Sequence, residues 1–456
     1  MKQKNESPKK LMANPMIAFL IPVIFASVLQ SLGQVFGIIL VGQILGVDAL
    51  VAISAFFPLL FFLISFAIGI GSGSSILIGQ TYGGGNISKM KEVVGVTLAF
   101  TMLASAIVAI FGSMFIDSIL RWMGTPENIL QESIDYARIL FVSLPITFMY
   151  MTYTTFMRGV GDSKTPLNSL IINTVLNITL LPILMFGWLG LPAFGLNGAA
   201  YAAVLANFIT FVILIAYLYK TKHVLKPDRT ILQNLYFKGV ILKKLLTLAI
   251  PTSINMAIAM SEIAVITFVN DYGSNATAAY GIVNQLVSYI QIPAMSISIA
   301  ISVFVAQAIG AGKTATIQHI TTLGIKLNYL LGGGLILFVY LFADPILKIF
   351  LTNVTAIEMA KSLVIISFWG YVLFGHMQAL SATMRATGTV LWPTVFMITS
   401  IWLIEVPTAY FLSHYTELGI KGIWIAYPVA FIVNLIVQAT YHHFVWKKKS
   451  LKALLA

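Results

Sequence analysis

The chain has 456 residues, of which 59% are hydrophobic and only 9% charged, with a mean hydropathy of +0.93. Soluble domains carry about 25% charged residues, so a water-solvated body of this size is excluded and the natural solvent is lipid. The formal charge of +12 does not point to nucleic acid, because the Lys and Arg fall in short connections between apolar runs and not on one polar face; the absence of cysteine excludes disulfides, thiolate metal sites and cysteine catalysis.

A hydrocarbon core about 30 Å thick takes about 20 apolar residues per helix. Twelve runs meet that length, at 15-42, 52-80, 93-116, 131-157, 166-188, 196-219, 242-269, 279-308, 319-343, 357-384, 390-413 and 419-445. The expected fold is therefore an all-α polytopic membrane protein. Residues 1-14 begin MKQKNESPKK and carry no small-residue cleavage site, so the first run reads as a permanent helix. Placing both termini in the cytoplasm puts most Lys and Arg on that side, among them Lys220, Lys222, Lys226, Arg229, Lys238, Lys447, Lys448 and Lys449. Only Arg121, Lys348, Lys361 and Lys421 then fall on the opposite side, as the positive-inside rule requires.

The polar stretch 220-241 divides the chain near its middle. Gly46 and Gly273, Gln80 and Gln307, Gly83 and Gly310, Gly85 and Gly312, Arg158 and Arg385, Gly161 and Gly388, and Pro166 and Pro393 all share one spacing of 227 residues. The chain reads as a duplication: a cytoplasmic segment 1-14, a six-helix lobe 15-219, a cytoplasmic linker 220-241, a second lobe 242-445 and a basic tail 446-456. Even span counts give the lobes one orientation, with a pseudo-axis along the membrane normal and a cavity between them. Gly310-Ala-Gly312-Lys313-Thr314 imitates a phosphate-binding loop, but residue 307 is Gln where that motif needs Gly. No nucleophile elbow, Ser-His-Asp order or metal-ligand cluster stands out, which argues against an enzyme.

The repeat, its loop glycines, Met157-Arg158-Gly159-Val160-Gly161-Asp162, Met384-Arg385-Ala386-Thr387-Gly388 and the segment Leu176 to Gly187 followed by Gly195-Leu196-Asn197-Gly198 together resemble the multidrug and toxic compound extrusion (MATE) transporters, from about residue 15 to 445. The resemblance implies export of amphipathic, mainly cationic small molecules in exchange for H⁺ or Na⁺, by alternating access, with no bound cofactor. Many members carry an acid late in the first span and an Asp directly before the fifth-span proline. This chain has Gly37 and Leu181 there. Asn177 is retained, but a neutral amide alone is a weak cation site.

Most of the fifteen acids lie in loops or near span ends, and only Glu262 in span seven and Glu405 in span eleven are well inside apolar helices. A charge at the bilayer centre costs about 3 kcal/mol or more, so neither should face lipid. At about 1.5 Å per residue, Glu262 lies roughly 13 Å in from Asp271 and Glu405 roughly 12 Å in from Ser413. Spans seven and eleven are the repeat equivalents of spans one and five, so the cation site is expected to have moved to the carboxyl lobe. Some MATE members use a seventh-span Glu, which favours Glu262; the alternative is a structural acid satisfied by hydroxyls or by Asn255. Near-neutral titration keeps His376 as a proton-relay candidate. Asn284, Gln285, Ser288, Tyr289 and Gln291 in span eight, Tyr371 and Gln378 in span ten, and Tyr150, Tyr153 and Asn177 in the amino lobe are candidates to line a substrate cavity, with inter-helix hydrogen bonding or packing as the alternative. Phe56, Phe57, Phe61 and Phe62 offer further aromatic faces for organic cations.

The expected protein is a monomeric inner-membrane antiporter whose partners are organic cations and the bilayer. A flippase or exporter of lipid-linked anionic sugars would need a basic cavity, for which only Arg138 and Lys326 lie near or within spans. The orientation is testable in this cysteine-free chain. A single cysteine at Asn275 should react with an impermeant thiol reagent outside intact cells, whereas one at Asp228 should react only after lysis; the reverse pattern would invert the topology.

Overall fold

The computed structural model describes residues 8–258 and 262–455. The side chains of 8–13, 38, 44, 45, 47, 48, 50, 54, 55, 57, 58, 255–258, 262 and 263 lie outside that description, so Asn255 and Glu262 are placed by their backbone alone. The regular structure of the described residues is all helical: α1 (Pro8–Leu45), α2 (Val47–Gly83), α3 (Ile87–Trp122), α4 (Glu127–Gly159), α5 (Lys164–Phe186) and α6 (Gly195–Lys220), then a short α7 (Arg229–Gln233). There follow α8 (Gly239–Ile258), α9 (Glu262–Asn270), α10 (Ser274–Gly310), α11 (Ile317–Leu341), a short α12 (Ala343–Phe350), α13 (Val354–Ala386), α14 (Leu391–Thr399), a π-helical turn (Ser400–Glu405), α15 (Val406–His414) and α16 (Ile420–Phe444). Among the described residues eleven helices are long and apolar enough to cross a membrane. The seventh expected span, 242-269, is divided between α8 and α9, with 259–261 outside the described residues.

Helices are what a solventless interior demands, because every backbone N–H and C=O is then bonded within its own segment. Their ends are set by local chemistry. Asn86 accepts from Lys89 N at 2.9 Å to start α3, and Asn353 accepts from Thr355 N and Ala356 N to start α13. The repeated glycines close or open the turns between spans. Gly46 and Gly273 have φ of 84° and 86°, Gly85 and Gly312 of 74° and 70°, and Gly161 and Gly388 of 89° and 91°. These left-handed values favour glycine, and their agreement pair by pair shows that the 227-residue spacing repeats backbone conformation as well as residue type.

The chain forms two compact units. One joins the chain as far as Ile24 to Ile254–Leu454, and the other runs from Phe25 to Ser253. Helices α1 and α8 thus change unit at equivalent places, two residues beyond Pro22 and Pro251. In the first unit Phe19 of α1 packs edge-on to Phe304 of α10 at 5.7 Å. In the second, Gly73 and Gly69 of α2 lie against Leu245, Leu248 and Ala249 of α8. The first unit has its core around Tyr280, Val283, Val287, Phe368, Trp424 and Tyr427, and the second around Phe56, Ile116, Leu130, Phe141 and Phe148.

Segment 221-238 belongs to the second unit and is held to the end of α3 by charge. Lys91 pairs with Asp228, and Glu92 with Lys238 and, at 3.1 Å, with Lys89. Burial pushes the Asp228 carboxyl up, but the hydrogen bonds from Lys91 and from Ile231 N outweigh it and hold the group below its ordinary value. In the first unit the tail folds back in the same way: Trp446 Nε1 donates to Thr387 Oγ1 at 3.0 Å, and Leu454 lies against Gly388.

Lipid tails are as apolar as Leu, so helix association rests on close packing and on hydrogen bonds across helices. The tightest described example is Gly375 of α13, where an added Cβ would come within 1.8 Å of Asn328 Oδ1 on α11. Asn328 is 1% exposed and donates to Val372 O at 2.9 Å. Gly375→Ala should displace that amide and cost about 1–3 kcal/mol, seen as a lower melting temperature in detergent. Gly333→Ala, where a Cβ meets nothing within 4 Å, should leave melting unchanged or raise it. Equal melting of the two variants would refute this account of the α11–α13 contact.

Candidate functional site

Glu405 ends the π-helical turn of the eleventh span. Pro407 has no N–H for the carbonyl four residues back and its ring crowds that turn, and a widened π turn is the local result. The turn packs against α16, and Glu405 is buried, 7% exposed. The facing surface of α16 is aromatic and polar. Tyr427 lies on that surface and shares a core with Tyr280 and Tyr371. The Tyr427 and Tyr280 hydroxyls bond at 2.7 Å, and Tyr280 stacks on Trp424 with ring centroids 6.0 Å apart. Tyr371 packs its ring edge-on to Phe431 at 5.2 Å. The result is a buried carboxyl group on the face of the π turn that packs against α16, the helix that carries Tyr427.

Helices α9 and α15 run side by side in the same direction. Phe268 packs on Tyr410 at 5.7 Å and on His414 at 6.2 Å, and Tyr272 Oη donates to Ser413 O at 3.1 Å. Carried back along both helices, that register sets the backbone of residue 262 level with the Glu405 end of the π turn. The Glu262 and Asn255 side chains lie outside the described residues.

The remaining candidates are dispersed. His376 is half-buried and faces α11, its Nδ1 3.1 Å from Tyr329 Oη. It does not join the Tyr371 and Phe431 contact. Gln378 is buried and donates to Met295 Sδ at 3.4 Å. On α10, Val283, Val287 and Ile290 enter the core, which leaves Asn284, Tyr289 and Gln291 half-buried and Gln285 and Ser288 exposed; Ser288 bonds back to Asn284 O. In the second unit Tyr150 and Tyr153 are buried, Tyr153 against Phe156 and Phe211 at 5.4 and 5.7 Å, and Asn177 is half-buried. Two polar arrangements escaped the sequence reading. Asn173 donates to Asn207 Oδ1 at 2.9 Å and Asn207 to Thr147 Oγ1 at 3.3 Å. On α16, Asn434, Gln438 and His442 are all buried; their four-residue spacing in an apolar span was the signal that could have found them.

Comparison with known proteins fixes the family. The MatE family model matches the chain twice, over residues 22–183 and 251–411, so each match begins at the proline just before a helix changes unit. The chain belongs to the MATE family of transporters. It is 53% identical over 441 residues to a probable multidrug resistance protein of Bacillus subtilis, YoeA, covering 96% of this chain and 95% of that one. It is 26% identical to a protein of Shewanella oneidensis described as an FAD transporter, over 84% of each. Among solved structures, a MATE transporter of Vibrio cholerae superposes with a TM-score of 0.88 at 18% identity, over 97% of this chain and 99% of that one. A Pyrococcus furiosus transporter of the same superfamily, described by a reversed polarity of its binding pocket, gives 0.87 at 24% identity, over 96% and 97%. At those identities the structures establish the all-helical MATE fold. Membership makes the chain a multi-pass membrane transporter and not an enzyme.

Proposed function

We propose that this MATE protein is a cation-coupled antiporter of the cytoplasmic membrane that exports amphipathic, mainly cationic compounds by alternating access. It acts as a monomer of two six-helix lobes, with both termini and the 220-241 linker in the cytoplasm. The observation that carries this reading is Glu405, buried in a membrane-spanning helix on the π turn that packs against α16 and level with the backbone of residue 262. A carboxylate in a membrane interior is tolerated only with a proton, a cation or a donor on it. When an inward H⁺ or Na⁺ and an outward organic cation compete for the same charge, binding of one releases the other, which is the exchange an antiporter needs. Glu262 and Glu405 share that role, and the tyrosine faces of the neighbouring core suit a desolvated organic cation.

A second reading, export of an anionic cargo, draws on the Shewanella relative and on Arg158 and Arg385, half-buried at equivalent ends of α4 and α13. Proteoliposomes given matched dyes of opposite charge decide between the two, and accumulation of the anionic dye alone would favour the second. For the coupling site, the double variant Glu262→Gln with Glu405→Gln should lose gradient-driven export while still binding substrate. Glu405→Gln alone should move the transport-against-pH curve to lower pH, because a like-charged neighbour of Glu262 is gone. Export by the double variant at the wild-type rate would refute the carboxyl-lobe site.

A further inference from the structure

We infer that the buried polar face of α16, formed by Asn434, Gln438 and His442, is the route by which protons pass between the cytoplasm and the Glu405 region; this rests on the coupling role proposed above. The three residues follow i, i+4, i+8 spacing and so share one face of the helix, and they are 2%, 2% and 5% exposed. Tyr427, whose hydroxyl meets that of Tyr280 and which lies on the helix against which the Glu405 turn packs, is seven residues before Asn434 on the same face. From Tyr427 to His442 the helix rises roughly 22 Å towards the end of α16.

A purely structural stripe would have its hydrogen bonds completed by neighbouring helices. This one does not. Gln438 Nε2 donates to Asn434 Oδ1 at 2.8 Å, but among the described residues Gln438 Oε1 and His442 Nε2 are buried with no protein partner. Each such group costs about 1–3 kcal/mol if left unmet, and water is the partner that remains to satisfy it. Water held by an amide and an imidazole is a medium for proton transfer: a proton leaving the Glu405 carboxyl passes to water, and the water passes one on to the imidazole, which gives its own to the cytoplasm. The charges around His442 belong to several elements, namely His443 on α16, Lys447 just beyond it and His376 on α13. Its ring is fixed by stacking on Trp446 at 4.6 Å, and Trp446 is itself held by Thr387.

The chain of polar groups is interrupted at one step. Phe431 lies between Tyr427 and Asn434 in the sequence of that face and packs on Tyr371 at 5.2 Å and Phe374 at 5.7 Å. An unbroken water file would short-circuit the gradient. An aromatic break that loosens during the transport cycle would admit protons only when the carriers move.

Gln438→Leu and His442→Ala test the route in proteoliposomes under an imposed proton gradient. Both should slow gradient-driven export of a cationic dye by about tenfold or more, yet leave dye-for-dye counterflow, which needs no net proton movement, at the wild-type rate. Wild-type export in both variants would overturn the route. So would equal loss of export and counterflow in both, which would make the stripe a packing feature. The coupling reading is judged separately: if Glu262→Gln with Glu405→Gln is inactive while Gln438→Leu and His442→Ala export normally, the carboxylates stand and the α16 route falls.

Discussion

The hydrocarbon of a bilayer offers no water to a lipid-facing polar group, and nearly every feature of this chain follows from that constraint. It makes the regular structure of the described residues all helical and gathers charge into the turns, where Lys91 can hold Asp228 and Lys238 can hold Glu92. It also leaves helix packing to shape and to a few hydrogen bonds, which is why Asn328 seated against Gly375 matters more than its size suggests. Under the same constraint a buried acid is conspicuous, and Glu405 is where the transport hypothesis begins.

The duplication gives that acid its setting. Each repeat opens with a helix that starts in one compact unit and ends in the other, α1 beyond Pro22 and α8 beyond Pro251. Helix α9 continues from the second of these and runs beside α15 in a register fixed by Phe268, Tyr272, Tyr410 and Ser413. The two helices that bear the carboxyl-lobe acids are thereby locked at their outer ends. Towards the middle of the membrane the backbone is less regular, with a π turn at Glu405. A rigid frame at one end with a loosened turn at the charge suits a group that must change partners during transport.

Much of this was legible in the residues. Apolar run length gave the eleven spans found among the described residues, and the 227-residue spacing predicted turns whose glycine φ angles agree within a few degrees. What stayed hidden depends on helix rotation and on neighbours distant in sequence. The polar positions of α10 read as a lining stripe, but nothing in their spacing says that Val283, Val287 and Ile290 take the core side. His376 carries no sign in the sequence that its partner is Tyr329, 47 residues earlier. Asn434, Gln438 and His442 were visible as a pattern, yet only burial distinguishes an inward face from one turned to lipid headgroups. Pro407 was a residue-level sign of an irregular turn at Glu405, but the π geometry is seen only in the fold.

The central claim is that substrate and coupling ion compete for one buried carboxylate charge in the carboxyl lobe. The most direct test is to titrate a cationic substrate into the purified protein in weakly buffered detergent solution containing a pH indicator. Competition for a protonated carboxyl predicts release of about one proton per substrate bound, fading as the pH is raised and the carboxyl empties beforehand. Substrate binding with no proton release at any pH where the protein is folded, and no dependence of affinity on pH or on Na⁺, would contradict it.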